Sequence, residues 1–236
     1  MNSYRLIRAA AAVPVAAWSA LIGSVIAISP ASAAPPCPDV EVVFARGTGE
    51  PAGVGGIGQA FVDAVQAQAA PRSVDVYPVN YAASSDFGDR DQFARTVIDG
   101  IRDAATHIES TAANCPSTRI VLGGYSQGAA LAGYTTVDRV PPGVPAGAVP
   151  AVMPPQIAKH VAAVALFGTP SDQFLSDIGA PPLVIGPLYA PKTIKQCAPD
   201  DTICNGAGAG GPSVAHALYA VNGSVDQAAS FTVSHL

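Results

Sequence analysis

Residues 124–128 read Gly-Tyr-Ser-Gln-Gly, the pattern G-x-S-x-G. The chemistry this spacing allows is nucleophilic acyl transfer. A serine between a strand and a helix sits in a strained turn, and the flanking glycines let the two elements approach without Cβ clashes. The hydroxyl of Ser126 then projects above the carboxyl end of a sheet. Gln127 opens the helix, so its backbone N–H points at a developing oxyanion. The pentapeptide alone is a weak signal. Its context is stronger, because "RIVLGG" before it is a β-branched run and "SQGAALAGYTTVDRV" after it is helical.

A serine hydroxyl needs a base, and the base needs a partner. His107 falls on a long predicted helix and is expected on its wet face. His160 flanks the start of a strand, and His235 is next to the C-terminus. His216 lies after the fourth predicted strand, in a loop leading to a helix, which suits the chain order Ser…Asp…His of α/β-hydrolases. The glycines before it, "NGAGAGG", predict a mobile loop that lets a resting histidine sit off its serine. Between Ser126 and His216, Asp172 and Asp177 follow the fourth strand, and Asp200 and Asp201 lie inside "CAPDDTIC". A carboxylate in a disulfide-closed loop can hold an imidazole in one tautomer. The doublet therefore leads Asp172, without a choice between its members.

Gly53, Gly55 and Gly58 spell G-x-G-x-x-G, the dinucleotide fingerprint. Arg46, Gly47 and Thr48 stand between the strand and the motif, and no acid sits clearly at the end of the next strand, so a nucleotide site is discounted. The better use of this loop is a second oxyanion donor, and Thr48 is its first residue to offer both an N–H and a hydroxyl.

The elements that must position these groups alternate. Strands are predicted at 40–47, 74–79, 119–124 and 161–168, with "LVIG" (183–186) as a fifth. Helices are predicted at 57–70, 89–113 and 126–140, and "AHALYAV" and "DQAASFTVSHL" look like closing helices. This order predicts an α/β fold with a central, mostly parallel five-stranded sheet and helices on both faces. The proline-rich segment 140–155 is expected to be a surface loop or partial lid. "NYAASSDF" (80–87), "IGAPPLVIGPLY" (178–189) and "NGAGAGGPSVAH" (205–216) are expected near the cleft; small and apolar, they suit neutral acyl esters.

Arg5 and Arg8 precede an uncharged stretch, 9–28, and "ASA" at 31–33 fits a small-residue cleavage site. Residues 1–33 are therefore expected to be a cleaved signal peptide and 34–236 a single domain. Removing the leader takes two arginines and no acid, leaving 10 basic and 17 acidic residues, a formal −7. An acidic domain with no basic run is a poor candidate for nucleic acid or anionic membranes. Four cysteines in an exported chain suggest two disulfides. The spacing of Cys197 and Cys204 favours a local loop, which leaves Cys37 with Cys115. The chain-entropy model assigns about 4–5 kcal/mol to the long loop and about 2–3 kcal/mol to the short one.

Together, "CPDVEVVFARGTGE", "RIVLGGYSQGAAL", "VAAVALFGTP" and "CAPDDTIC" followed by a histidine resemble the cutinase family of small serine esterases, specifically its secreted actinobacterial members. The resemblance covers nearly the whole chain after the leader. It implies a compact three-layer α/β-hydrolase sandwich, with Ser126 as nucleophile, His216 as base and Asp201 as the acid, which resolves the doublet. It also implies an oxyanion hole at Thr48 and the Gln127 backbone, and the same disulfides, Cys37–Cys115 and Cys197–Cys204. Threonine stands at 48 where many members have serine. The implied activity is hydrolysis of cutin-like polyesters, lipids or short-to-medium acyl esters, with no metal or cofactor, by a secreted monomer. The alternatives on this fold are an acetylxylan esterase, a phospholipase or thioesterase, and a non-catalytic surface-binding protein.

Overall fold

The computed structural model describes residues 36–145, 147–208 and 210–236; the expected signal peptide lies outside them. Five strands form one parallel sheet: β1 (Val40–Ala45), β2 (Val74–Pro78), β3 (Arg119–Tyr125), β4 (Val161–Phe167) and β5 (Thr193–Gln196). Their spatial order is β2-β1-β3-β4-β5, so β3 is central. Five helices cross between or follow them: α1 (Gly55–Ala69), α2 (Arg90–Asn114), α3 (Gln127–Thr135), α4 (Asp172–Asp177) and α5 (Ser224–Val233).

The strand sequences explain the layering. β1, β3 and β4 are nearly continuous apolar runs because both of their faces are buried. Alternate side chains go to opposite sides. Val42, Phe44, Val121 and Phe167 pack with Phe61 of α1 and Val225 of α5. Val43, Leu122 and Leu166 pack with Ile108 of α2 and Leu131 of α3. α2 is capped by Asp89, whose side chain accepts from Gln92 N–H. Cys37–Cys115 ties the entry to β1 to the end of α2, and Cys197–Cys204 closes the loop after β5.

Some expectations change. "LVIG" is not a strand: Leu183 packs on Gly133 of α3, and Gly186 N–H donates to Thr136 O. Leu183 covers a helix, Ile185 packs on the core, Val184 is exposed, and the segment makes no sheet ladder. The fifth strand is instead "TIKQ", a short edge strand whose exposed Lys195 suits an edge. "AHALYAV" contributes only a 3₁₀ turn, Val214–Ala217. The segment 140–155 is a surface loop along most of its described residues. It leads into the 3₁₀ turn Pro155–Lys159, after which His160 O accepts from Ile120 N–H and β4 begins at the amino end of the sheet, with Met153 buried in the core. The far half of 178–189 runs along α3 in the same direction, away from the cleft.

Candidate active site

Ser126 is the single residue between β3 and α3, with φ 54° and ψ −117°. Among the described residues, the non-glycines with positive φ are Ser126 and Ala83. Such strain persists only where the surroundings over-determine it. Ser126 N–H donates to Phe167 O at 2.8 Å, and Ser126 O accepts from Ala129 N–H at 2.9 Å. A Cβ at Gly124 would sit 2.1 Å from Gly128 O, and one at Gly128 would sit 2.0 Å from Ala45 O. Only glycines allow this approach, and it places Oγ beyond the carboxyl end of the central strand.

His216 Nε2 lies 2.8 Å from Ser126 Oγ, and His216 Nδ1 lies 2.8 Å from Asp201 Oδ2. A carboxylate only accepts, so Nδ1 carries the proton and Nε2 is free to take one from Oγ. Asp201 is fully buried and His216 is 5% exposed. Asp201 Oδ1 accepts from Ile203 N–H at 2.9 Å. The neighbouring Asp200 faces solvent, and its backbone carbonyl accepts from Ser213 Oγ. The histidine does not sit off its serine. It belongs to the 3₁₀ turn, not to the glycine run, and Tyr125 OH donates to its backbone carbonyl at 2.9 Å.

The loop after β1 carries Thr48. Gly47 lies against the ring of Tyr125, the residue before the serine. Gln127 is the first residue of α3 and is buried; its side-chain amide donates to Ser84 O at 3.3 Å. Gly49 N–H donates to Ala83 O at 2.7 Å. The segment Ala83–Ser84 therefore braces both Thr48's loop and Gln127.

Several residues that hold this site escaped the sequence reading. Glu50 Oε2 accepts from Gly47 N–H at 2.6 Å, and its Oε1 accepts from Gly56 N–H at 2.8 Å. Its carboxylate thus occupies the start of α1, the place where the G-x-G-x-x-G turn would cradle a phosphate. Arg46 donates to Glu50 O at 2.8 Å and to Tyr81 O at 2.6 Å, while Tyr81 OH donates back to Arg46 O. Burial, then the charges of Glu50 and Asp201, push Tyr125 up to about 12, so it stays a donor. The signal for Glu50 was in "RGTGEPAGVGG", an acid set between two glycine turns, and both partners of its carboxylate are local in the chain. His107 also differs from expectation. It is half-buried, stacked on Tyr77 with centroids 3.4 Å apart, and hydrogen-bonded to Glu41 at 2.9 Å.

A cutinase family model matches residues 36–236. The chain belongs to the cutinase family. A probable carboxylesterase, Culp7, of Mycobacterium tuberculosis (strain ATCC 25618 / H37Rv) is 61% identical over 169 residues, covering 72% of this chain and 88% of that protein. The catalytic core of acetyl xylan esterase from Trichoderma reesei superposes with a TM-score of 0.68 at 27% identity, covering 85% of this chain and all of that one. A Trichoderma reesei cutinase in complex with a C11Y4 phosphonate inhibitor superposes with a TM-score of 0.61 at 30% identity, covering 84% and 77%. Family and relatives make the protein a carboxylic ester hydrolase.

Phe87, three residues after Ser84, is 58% exposed and packs on Phe93, 4.9 Å between centroids. Val214, two residues before His216, and Val221 are both 78% exposed, and Leu218 between them is 41% exposed. Among the described residues, no helix is long and apolar enough to cross a membrane.

Proposed function

We propose that Ser126, His216 and Asp201 carry the acyl transfer of this ester hydrolase. The observation that supports it is the continuous relay from Ser126 Oγ through the imidazole to the buried carboxylate. His216 takes the hydroxyl proton as Oγ attacks the ester carbonyl. Asp201 holds the ring and balances the imidazolium. Thr48, through N–H and Oγ1, and the N–H of Gln127 face the tetrahedral oxyanion. His216 then hands its proton to the departing alkoxide, and water repeats the sequence on the acyl-enzyme.

The substrate is a neutral ester with an apolar acyl chain of short to medium length, from a polyester or lipid. Exposed apolar side chains in the segments that carry Ser84 and His216, Phe87 in the first and Val214 and Leu218 in the second, support this class. The likeness to the acetyl xylan esterase core supports a second reading, deacetylation of a polysaccharide. Turnover of p-nitrophenyl esters of rising chain length, beside release of acetate from acetylated xylan, separates them. An optimum beyond acetate supports the first reading, and xylan deacetylation with acetate as the preferred acyl group overturns it.

The leader 1–33 is cleaved, and the domain 34–236 acts outside the cell as a monomer, free or held at the cell wall, without nucleic-acid partners. The leader's composition, the two disulfides and the formal −7 support this. Mass spectrometry of culture supernatant, read for an N-terminus at Ala34, and light scattering of the purified chain test it.

A further inference from the structure

Tyr219 stands three residues after His216, and its hydroxyl reaches the far side of the relay. The phenol donates to Asp201 Oδ2 at 2.5 Å, the same oxygen that faces His216 Nδ1. Ala198 N–H donates to the phenol oxygen at 3.1 Å. A phenol has one proton, a backbone N–H only donates and a carboxylate only accepts, so that proton points at Asp201. The ring is fully buried. It packs edge-on against His216, Tyr125 and Phe167, with centroids 6.4, 6.3 and 6.1 Å away. Burial and the bond to Asp201 push its pKa upward, so it remains a donor at any working pH.

We propose that Tyr219 is a positioning residue that fixes the Asp201 carboxylate in the plane where Oδ2 meets the imidazole. Ile203 N–H holds Oδ1, and the Tyr219 hydroxyl holds Oδ2, the oxygen it shares with the ring nitrogen. With both oxygens anchored, the carboxylate cannot turn about its χ2, a torsion that is otherwise broad. The bond also joins Ala198, at the mouth of the Cys197–Cys204 loop, to the segment carrying His216. Acid and base thus keep their spacing although they come from different loops. This rests on the reading of Asp201 as the triad acid.

Tyr219→Phe keeps the ring and removes the bond. It is expected to lower kcat about 10- to 100-fold, the loss of one hydrogen bond to a charged group, with KM within about twofold. The downfield proton NMR signal of His216 Nδ1–H is expected to shift or broaden. Tyr134→Phe, which removes a hydroxyl on α3 bonded to Pro181 O, is the control for lost stability and keeps wild-type kcat. Asp201→Asn tests the underlying reading, and wild-type turnover there overturns the triad itself. Where Asp201→Asn is inactive but Tyr219→Phe keeps kcat within twofold and its downfield signal, the positioning role is overturned. Should Tyr219→Phe not fold, 3-fluorotyrosine at 219 keeps the hydroxyl as a stronger donor, and the downfield proton must move; an unmoved signal overturns the proposal.

Discussion

Glu50→Gln separates the loop proposed to face the oxyanion from the relay. The carboxylate accepts two backbone N–H bonds, from Gly47 at 2.6 Å and Gly56 at 2.8 Å. A glutamine keeps one acceptor oxygen and presents an NH2 group to the other N–H. One charge-assisted bond is lost, about 1.5–3 kcal/mol. The other becomes a neutral bond, and one N–H meets a donor. The loop between Gly47 and Glu50 carries Thr48, so its looseness reaches the oxyanion. One oxyanion donor is worth about 2.7–4 kcal/mol, which sets the ceiling. The expected outcome is a kcat loss of about 10- to 100-fold on p-nitrophenyl butyrate, with KM little changed. Tm should fall by about 3–12 °C, from about 2–4 °C per kcal/mol at this chain length. The bond of Arg46 to the Glu50 backbone carbonyl stays, so the fold survives. A folded variant with lower Tm and wild-type kcat would refute the coupling of Glu50 to the oxyanion; unchanged Tm as well would refute the bonds themselves.

Thr48→Ala removes a hydroxyl donor but keeps the N–H, and should cost about 10²–10³ in kcat at unchanged Tm, while Thr48→Ser retains most turnover. Burial works to raise the pKa of Glu41, but hydrogen bonds from His107 and Thr111 outweigh it and hold the carboxyl below its ordinary 4.5. Its stabilisation is therefore complete above that value and is lost as pH falls through the lowered one; Glu41→Gln should flatten the acid limb of a Tm–pH curve measured from pH ~6 to ~3. The two disulfides should separate stability from catalysis. Replacing Cys37 and Cys115 by serine costs about 4–5 kcal/mol and leaves kcat of the folded protein intact. Replacing Cys197 and Cys204 costs only about 2–3 kcal/mol but releases the loop holding Asp201, so kcat should fall at a temperature where the fold persists.

The sheet was legible because its central strands are buried on both faces and so read as unbroken apolar runs. The same logic misplaced the fifth strand. An apolar run reports burial, not the partner, and Leu183 is buried against α3. The true edge strand is four residues long and half-exposed, with no period to read. Ser126 stood out because a steric demand, two glycines at fixed spacing between strand and helix, is written locally. Asp200 and Asp201 are chemically identical neighbours, and residue type cannot say which one the loop turns inward; the family resemblance named Asp201, the member that touches His216. Glu50 was missed although its partners, Gly47 and Gly56, are local, because an acid between glycines does not say which backbone N–H it turns to. Tyr219 was missed because its partner, Asp201, lies on another loop. His107 was expected in water because its helix face is polar. In the structure that polarity is turned inward and matched by Glu41 and stacking on Tyr77.

Labelling with a fluorophosphonate, followed by peptide mass spectrometry and paired with esterase assays, tests the relay most directly. The folded chain should take up one adduct, on Ser126, with loss of all esterase activity. His216→Ala should slow labelling by orders of magnitude, and Ser126→Ala should neither label nor turn over. An adduct elsewhere, none on Ser126 in folded protein, or esterase activity surviving in Ser126→Ala would contradict it.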